Sequence, residues 1–291
     1  MRKLTFILFI IFCTSVMAQQ NPIILFPNGA PGETEKMVEN EDISGSKVAG
    51  CPVLRISNVS EPTITFYPAP VDNNSGTTII VNPGGGYNIL AYNLEGSEIC
   101  KRFNSFGINC VLVKYRVPRR DGLPKHTAPL QDLQRAIAYT RAHAKEWNID
   151  ENKIGVMGFS AGAHLSVMAS NSFGELTYSA IDAWDKVSVR PDFCMLIYPA
   201  YLDGENFSAA PDIKITDKTP PTFLLQSQDD SNYINSSLFY YYALKEAGVL
   251  SAMHLYPSGG HGFGLRNTGH LVNEWPFRAI SWLRDIGMLD K

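Results

Sequence analysis

The sequence predicts an α/β fold in which a mostly parallel sheet is covered by helices on both faces, and three observations lead there. Seven short apolar and β-branched runs recur along the chain, most of them stopping at Pro, Gly or Ser. Between the later runs lie longer segments with apolar residues at helical spacing, and strands alternating with helices imply a parallel sheet buried on both sides. Finally, 45% of the 291 residues are hydrophobic, enough for one large core in a single domain.

The runs are "TITFYP" (63–68), "TTIIVNP" (77–83), "INCVLVKY" (108–115), "KIGVMGF" (153–159), "DFCMLIYP" (192–199), "PTFLLQS" (221–227) and "SAMHLYP" (251–257), each of strand length. "APLQDLQRAIAYTRAHAKEW" (128–147) puts Leu130, Leu133, Ile137 and Ala138 on one helical face. "SLFYYYALKEAG" (237–248) starts at a Ser cap and ends at Gly248, and "NEWPFRAISWLRDIG" (273–287) closes the chain in the same style. Residues 19 to about 60, rich in Pro, Gly and Asn, read as an N-terminal wrap, with no repeat or interdomain linker after it.

The opening "MRKLTFILFIIFCTSVMAQQ" sets Arg2 and Lys3 before an apolar run and ends in small residues at Val16 and Ala18, the pattern of a secretory signal cut after Ala18. The expected chain is a signal peptide at 1–18 and one domain at 19–291, secreted or periplasmic, without a membrane span after cleavage. Cleavage leaves 23 basic residues against 28 acidic ones. That balance excludes the basic footprint of a nucleic-acid binder. Four cysteines then remain, Cys51, Cys100, Cys110 and Cys194. Cys110 and Cys194 sit inside apolar runs, so free structural thiols are expected, with a Cys100–Cys110 bridge as the alternative.

Ligands of an open parallel sheet bind at the carboxyl ends of its strands, which singles out the loops after Val81, Met157, Leu225 and Leu255. After Met157 comes Gly158-Phe159-Ser160-Ala161-Gly162. A nucleophilic serine on a sharp strand-to-helix turn needs small residues two before and two after it, and Gly158 and Gly162 meet that need. The plain alternative is a tight turn with Ser160 as a helix cap. After Val81 comes "NPGGGYN", whose costly glycines suggest close approach to a ligand. Gly85, Gly86 and the Ala161 N–H are the candidate donors to an oxyanion, and the Lys and Ser/Thr order of a phosphate loop is missing. Tyr87 is the candidate substrate contact, with simple packing as the alternative.

In "QSQDDSN" one carboxylate is expected to orient an imidazole, with Asp229 as the choice and Asp230 in reserve. In "SGGHGFGL" His261 stands between two glycines, an unobstructed proton shuttle whose rate should fall at acid pH. Taken singly, adjacent acids in a loop are usually just solvated and a loop histidine is often surface decoration. Their shared order of glycine loop, Ser160, Asp229 and His261 is that of a serine triad on an open α/β sheet. His164, one helical turn beyond Ser160, reads as structural. The six histidines show no zinc-ligand spacing, so neither metal nor cofactor is expected.

At "PGGGYNILAYNLEG", "FGINCVLVKYRVP", "APLQDLQRAI", "IGVMGFSAGAHL" and "MHLYPSGGHGFGL" the chain resembles α/β-hydrolases of the secreted acetyl xylan esterase-like group, over most of the mature length. By position the resemblance implies Ser160 as nucleophile, His261 as base, and Gly85, Gly86 and Ala161 as oxyanion donors. The acidic stretch "DDSNYINSS" is more polar than the family pattern, and Ala163 stands where a glycine is common. The expected activity is serine carboxylester hydrolysis removing acetyl or similar small acyl groups from plant-type polysaccharides such as xylan. The short interval from Gly162 to Asp229 leaves little room for a large lid, which favours small acyl groups. The alternatives are a peptidase, a lactonase or a feruloyl or xenobiotic esterase on the same fold, or a non-catalytic carbohydrate-binding protein. The expected partner is an acylated carbohydrate.

Overall fold

A computed structural model describes residues 21–290, so the signal read at residues 1–18 lies outside the described residues. Among the described residues eleven strands occur in chain order: β1 (Ile23–Ile24), β2 (Asn40–Asp42), β3 (Arg55–Ser57), β4 (Thr63–Tyr67), β5 (Thr78–Asn82), β6 (Leu90–Ala91), β7 (Asn109–Lys114), β8 (Ile154–Phe159), β9 (Cys194–Ile197), β10 (Thr222–Ser227) and β11 (Ser251–Tyr256). Eight of them form the main sheet in the order β1-β4-β7-β5-β8-β9-β10-β11. The pairs from β7 through β11 are parallel, and β1 and β4 join one edge antiparallel. All seven runs read from the sequence are strands of this sheet. The smaller β2-β3-β6 sheet belongs largely to the N-terminal wrap.

The helices are α1 (Glu98–Asn104), α2 (Thr127–Ala142), α3 (Ala161–Asn171), α4 (Ile234–Glu246) and α5 (Trp275–Asp285). Side chains alternate across a strand, so each central strand feeds two cores. On β8, Ile154 and Val156 pack with Leu133 and Ile137 of α2 and Leu165 of α3. Met157 and Phe159 point the other way, toward Phe103 of α1 and Leu283 of α5. The near-continuous apolar runs of the sequence follow from this burial on both faces. Among the described residues, no helix is long and apolar enough to cross a membrane.

Helix boundaries depart from the periodicity in two places. α2 ends at Ala142 rather than running to 147, because the chain tightens into turns that close at Asn148, a residue with φ of 53°. α4 begins at Ile234, ahead of the expected Ser237, because the Asp230 carbonyl accepts the N–H groups of Tyr233 and Ile234 and starts the helix from the preceding loop. Gly248, with φ of 73°, stops it as expected. All four described cysteines are free, Cys100, Cys110 and Cys194 among buried residues and Cys51 at the surface.

The wrap is fastened to the sheet by Arg116, which follows β7 and is fully buried. Asp132 of α2 accepts the Arg116 Nε–H at 2.8 Å through Oδ1 and the Arg116 backbone N–H at 2.8 Å through Oδ2. The rest of the guanidinium donates to the carbonyls of Pro31 and Ala128, to Gln131 Oε1 and, at 3.3 Å, to Glu33 Oε1. Removing Asp132 takes away the closer, fully buried carboxylate and leaves the guanidinium with only Glu33 as a counter-charge. Asp132→Ala is therefore expected to cost about 3–5 kcal/mol of stability, read as a fall in the urea midpoint of unfolding.

Candidate active site

Ser160 is the hinge between β8 and α3. Its backbone adopts φ 52° and ψ −117°, a conformation that non-glycine residues rarely hold and that costs on the order of 1–3 kcal/mol. The surroundings hold it there. Its N–H donates to the Ile197 carbonyl at 3.1 Å, and its carbonyl accepts from the N–H groups of Ala163, His164 and Ala200. No room exists at the flanking glycines: a Cβ on Gly158 would lie 2.1 Å from the Gly162 carbonyl oxygen, and one on Gly162 would lie 2.1 Å from that of Asn82. The elbow inferred from Gly-x-Ser-x-Gly is thus a packing requirement, and Ser160 makes no side-chain cap bond to α3.

The Ser160 hydroxyl faces His261, with Oγ 2.8 Å from Nε2. On the other side of the imidazole, Nδ1 lies 2.6 Å from Oδ2 of Asp230. The expectation for Asp229 is corrected here. Asp229 accepts backbone N–H groups instead, from Gly260 at 2.8 Å and Gly259 at 3.2 Å. The Gly260 bond is the main cause that holds its carboxyl below the usual range. Asp229 anchors the loop that carries His261, whereas Asp230 is buried beneath the ring and also accepts from Gln226 Nε2 at 3.3 Å. The rings of Tyr198 and Tyr233 lie against His261 with centroids 5.0 and 4.8 Å away.

The glycine loop enters the cleft beside Ser160, with Gly85 and Gly86 on its surface. Gly85 has φ of 134°, and a Cβ there would lie 2.1 Å from the Ile89 carbonyl oxygen, so only glycine fits. The Gly85 and Gly86 N–H groups donate to no backbone carbonyl among the described residues, and the Ala161 N–H stands at the first position of α3, where a helix offers no partner. Next to them Glu95 is buried, its carboxyl raised above the usual range by desolvation. Its Oε2 accepts the Gly84 N–H at 2.7 Å and its Oε1 the Tyr198 hydroxyl at 2.8 Å. Tyr198 Oη in turn accepts the Gly264 N–H at 3.1 Å. Glu95 thereby couples the glycine loop to the loop of His261.

Tyr87 does not reach the cleft, which corrects its reading as a substrate contact. Its ring is fully buried, and its hydroxyl bonds His164 Nδ1 at 2.8 Å. Burial raises the Tyr87 hydroxyl well above its ordinary pKa and lowers His164 to about 3, so both are neutral at pH 7. His164 is structural with respect to Ser160, as its helical position implied. Tyr201 and Tyr233 line the cleft instead, together with Arg55 and Val53 of the wrap. Tyr201 belongs to the loop after β9, outside the four loops that the sequence pattern singles out. Its place three residues past "LIY" was the available signal, and "NYI" after Asp230 was the one for Tyr233.

Comparison with known proteins identifies the family and the fold. The BD-FAE family model matches residues 65–189. The chain is similar to an acetyl ester-xyloside bifunctional hydrolase of Caldicellulosiruptor lactoaceticus, with 32% identity and a TM-score of 0.74, over 95% of this chain and 100% of that one. The chain belongs to the acetyl xylan esterase-like α/β-hydrolases. It is also 33% identical over 240 residues to an acetylxylan esterase of Xylanibacter ruminicola, covering 74% of this chain and 47% of that protein. With endo-1,4-beta-xylanase B of Butyrivibrio fibrisolvens it shares 29% identity over 65% of this chain and 33% of that one. The chain therefore spans half or less of the length of these two relatives.

In this α/β-hydrolase the close approach of β8 and α3 is directly testable. Gly162→Ala is expected to cost about 1–3 kcal/mol through overpacking against the Asn82 carbonyl, measured as a lowered thermal midpoint. An unchanged midpoint would mean that the two elements can separate without loss.

Proposed function

We propose that this protein is a serine carboxylester hydrolase that removes acetyl groups from xylan or its oligosaccharides. The observation that carries the reading is the continuous chain from Asp230 through His261 to Ser160, at 2.6 and 2.8 Å, beside N–H groups that lack acceptors among the described residues. Asp230 accepts Nδ1–H and so leaves the Nε2 lone pair facing the hydroxyl. As Ser160 Oγ attacks the ester carbon, its proton passes to Nε2 and negative charge gathers on the former carbonyl oxygen. Gly85, Gly86 and Ala161 offer their N–H groups to that oxygen, with the N-terminus of α3 adding a favourable dipole. Collapse of the intermediate returns the proton from His261 to the leaving sugar alkoxide. Water repeats the sequence on the acyl-enzyme and releases acetate.

The substrate class rests on the relatives named for acetylxylan and xyloside chemistry. Tyr201, Tyr233 and Arg55 at the cleft suit a polar, ring-shaped substrate, since an aromatic face carries an apolar body and a hydroxyl tip. Secretion or export through the segment at 1–18 is part of the same proposal and fits a polymeric substrate outside the cell.

Acetate release from acetylated xylan, pectin and mannan tests the substrate, with xylan expected to be turned over fastest. Equal turnover of all three, or activity on none, would reject it. Ser160→Ala is expected to lower kcat by on the order of 10⁴ to 10⁶. Asp230→Asn should lower it by about 10⁴, the loss that follows when the imidazole is held in the wrong tautomer. Asp229→Asn should lose far less, and the reverse ranking would restore Asp229 as the orienting acid.

A further inference from the structure

A second cluster of donor groups lies behind the cleft, on the far side of Tyr201. His126 caps the start of α2, His164 lies in α3, and Asp212 belongs to the segment between β9 and β10. One donor atom from each of the three lies within 4.8 Å of the others. Tetrahedral ligands about 2.1 Å from a metal stand about 3.4 Å apart, so closure needs movements of about an ångström or a little more. Asp212 is exposed and His126 half-buried, so both can make that adjustment by turning their side chains.

His164 supplies the fixed point. It is 2% exposed, and its Nδ1 is engaged by the buried Tyr87 hydroxyl at 2.8 Å. Nε2 has no hydrogen-bond partner among the described residues. An imidazole held through one nitrogen by a neighbouring group, with the other making no hydrogen bond to protein, is the arrangement in which metal-binding histidines are oriented by an outer group. The Asp212 carboxylate makes no ion pair among the described residues. Lys125 is close enough to feel its charge, but the Lys125 ammonium lies over the Tyr201 ring, 3.7 Å from its centroid.

We propose that His126, His164 and Asp212 bind one divalent transition-metal ion of the zinc class, with solvent as a fourth ligand. Two imidazoles and a carboxylate suit such an ion and would hold calcium or magnesium poorly, since those prefer all-oxygen shells. The ion ties the Asp212 segment to the starts of α2 and α3. It lies behind Tyr201, whose ring packs on His164 at 6.0 Å and on Tyr233 at 5.7 Å. Its role is therefore to brace the cleft wall, and it takes no part in the chemistry at Ser160.

The test uses the full chain, free of any affinity tag and stripped with a chelator, titrated with Zn²⁺ by equilibrium dialysis and with Co²⁺ by visible absorption. One equivalent of Zn²⁺ is expected, with the intense Co²⁺ bands of a four-coordinate site and a higher thermal midpoint when metal is present. Because His164 is buried and its removal could unfold the protein, the variants are His126→Ala and Asp212→Asn. Each should bind at least about tenfold more weakly, a loss that even an outer-shell change can cause at a metal site, and should lose the thermal shift. Absence of stoichiometric binding, or binding that is equally tight in both variants, would overturn the proposal.

Discussion

The structure depends on one constraint, the unfavourable backbone of Ser160. A residue at φ 52° and ψ −117° stays there only if its neighbours leave no alternative. The glycine contacts at 158 and 162 bring α3 against β8 and β5 so closely that the chain must reverse direction within one residue. The same reversal aims Oγ out of the sheet and leaves the first N–H of α3 unengaged. Position of the hydroxyl and availability of the amide are therefore consequences of a single packing decision.

Around that elbow, two loops from distant parts of the chain are fixed by hydrogen bonds. Glu95 ties the Gly84 N–H to the Tyr198 hydroxyl, and Tyr198 ties on to the Gly264 N–H. Asp229 holds the N–H groups of Gly259 and Gly260 on the other side of His261. Both carboxylates thus act on backbone. The cost of burying Glu95 shows in its raised pKa, with desolvation outweighing the two bonds it accepts. The turn at Asn93–Ser97 that carries Glu95 is a π-helical one, a geometry that often marks functional positions in helices.

Much of this was legible in the sequence because the signals were local. Strand runs, their order and the spacing in Gly-x-Ser-x-Gly each depend on residues within a few positions, and all seven runs became strands of one sheet. What was not legible depended on side-chain direction or on long-range meeting. Tyr87 follows the glycines directly, yet its φ of 60° turns the ring inward to His164. Tyr201 reaches the cleft from the loop after β9, where no local pattern marks its side chain as facing Ser160. Spacing likewise could not reveal that His126, His164 and Asp212 meet, since each comes from a different element. Glu95 lies in "PGGGYNILAYNLEG", but nothing along the chain says that its carboxylate faces Gly84.

The pair Asp229 and Asp230 shows why sequence order alone cannot assign the acid. They are adjacent in the chain, and either could be drawn toward the loop of His261. The Asp230 N–H donates to the Ser227 carbonyl, and the Asp230 carbonyl accepts the first N–H groups leading into α4, so its backbone is committed to the turn. That commitment directs the Asp230 side chain inward to a buried place beneath the imidazole and the Asp229 side chain outward to the rim. Burial then decides the chemistry. A carboxylate out of water interacts strongly with the imidazole 2.6 Å away, whereas an exposed one is screened by solvent and serves better as an acceptor for backbone. The two acids divide one task, with Asp229 setting where the loop lies and Asp230 setting how the ring within it points.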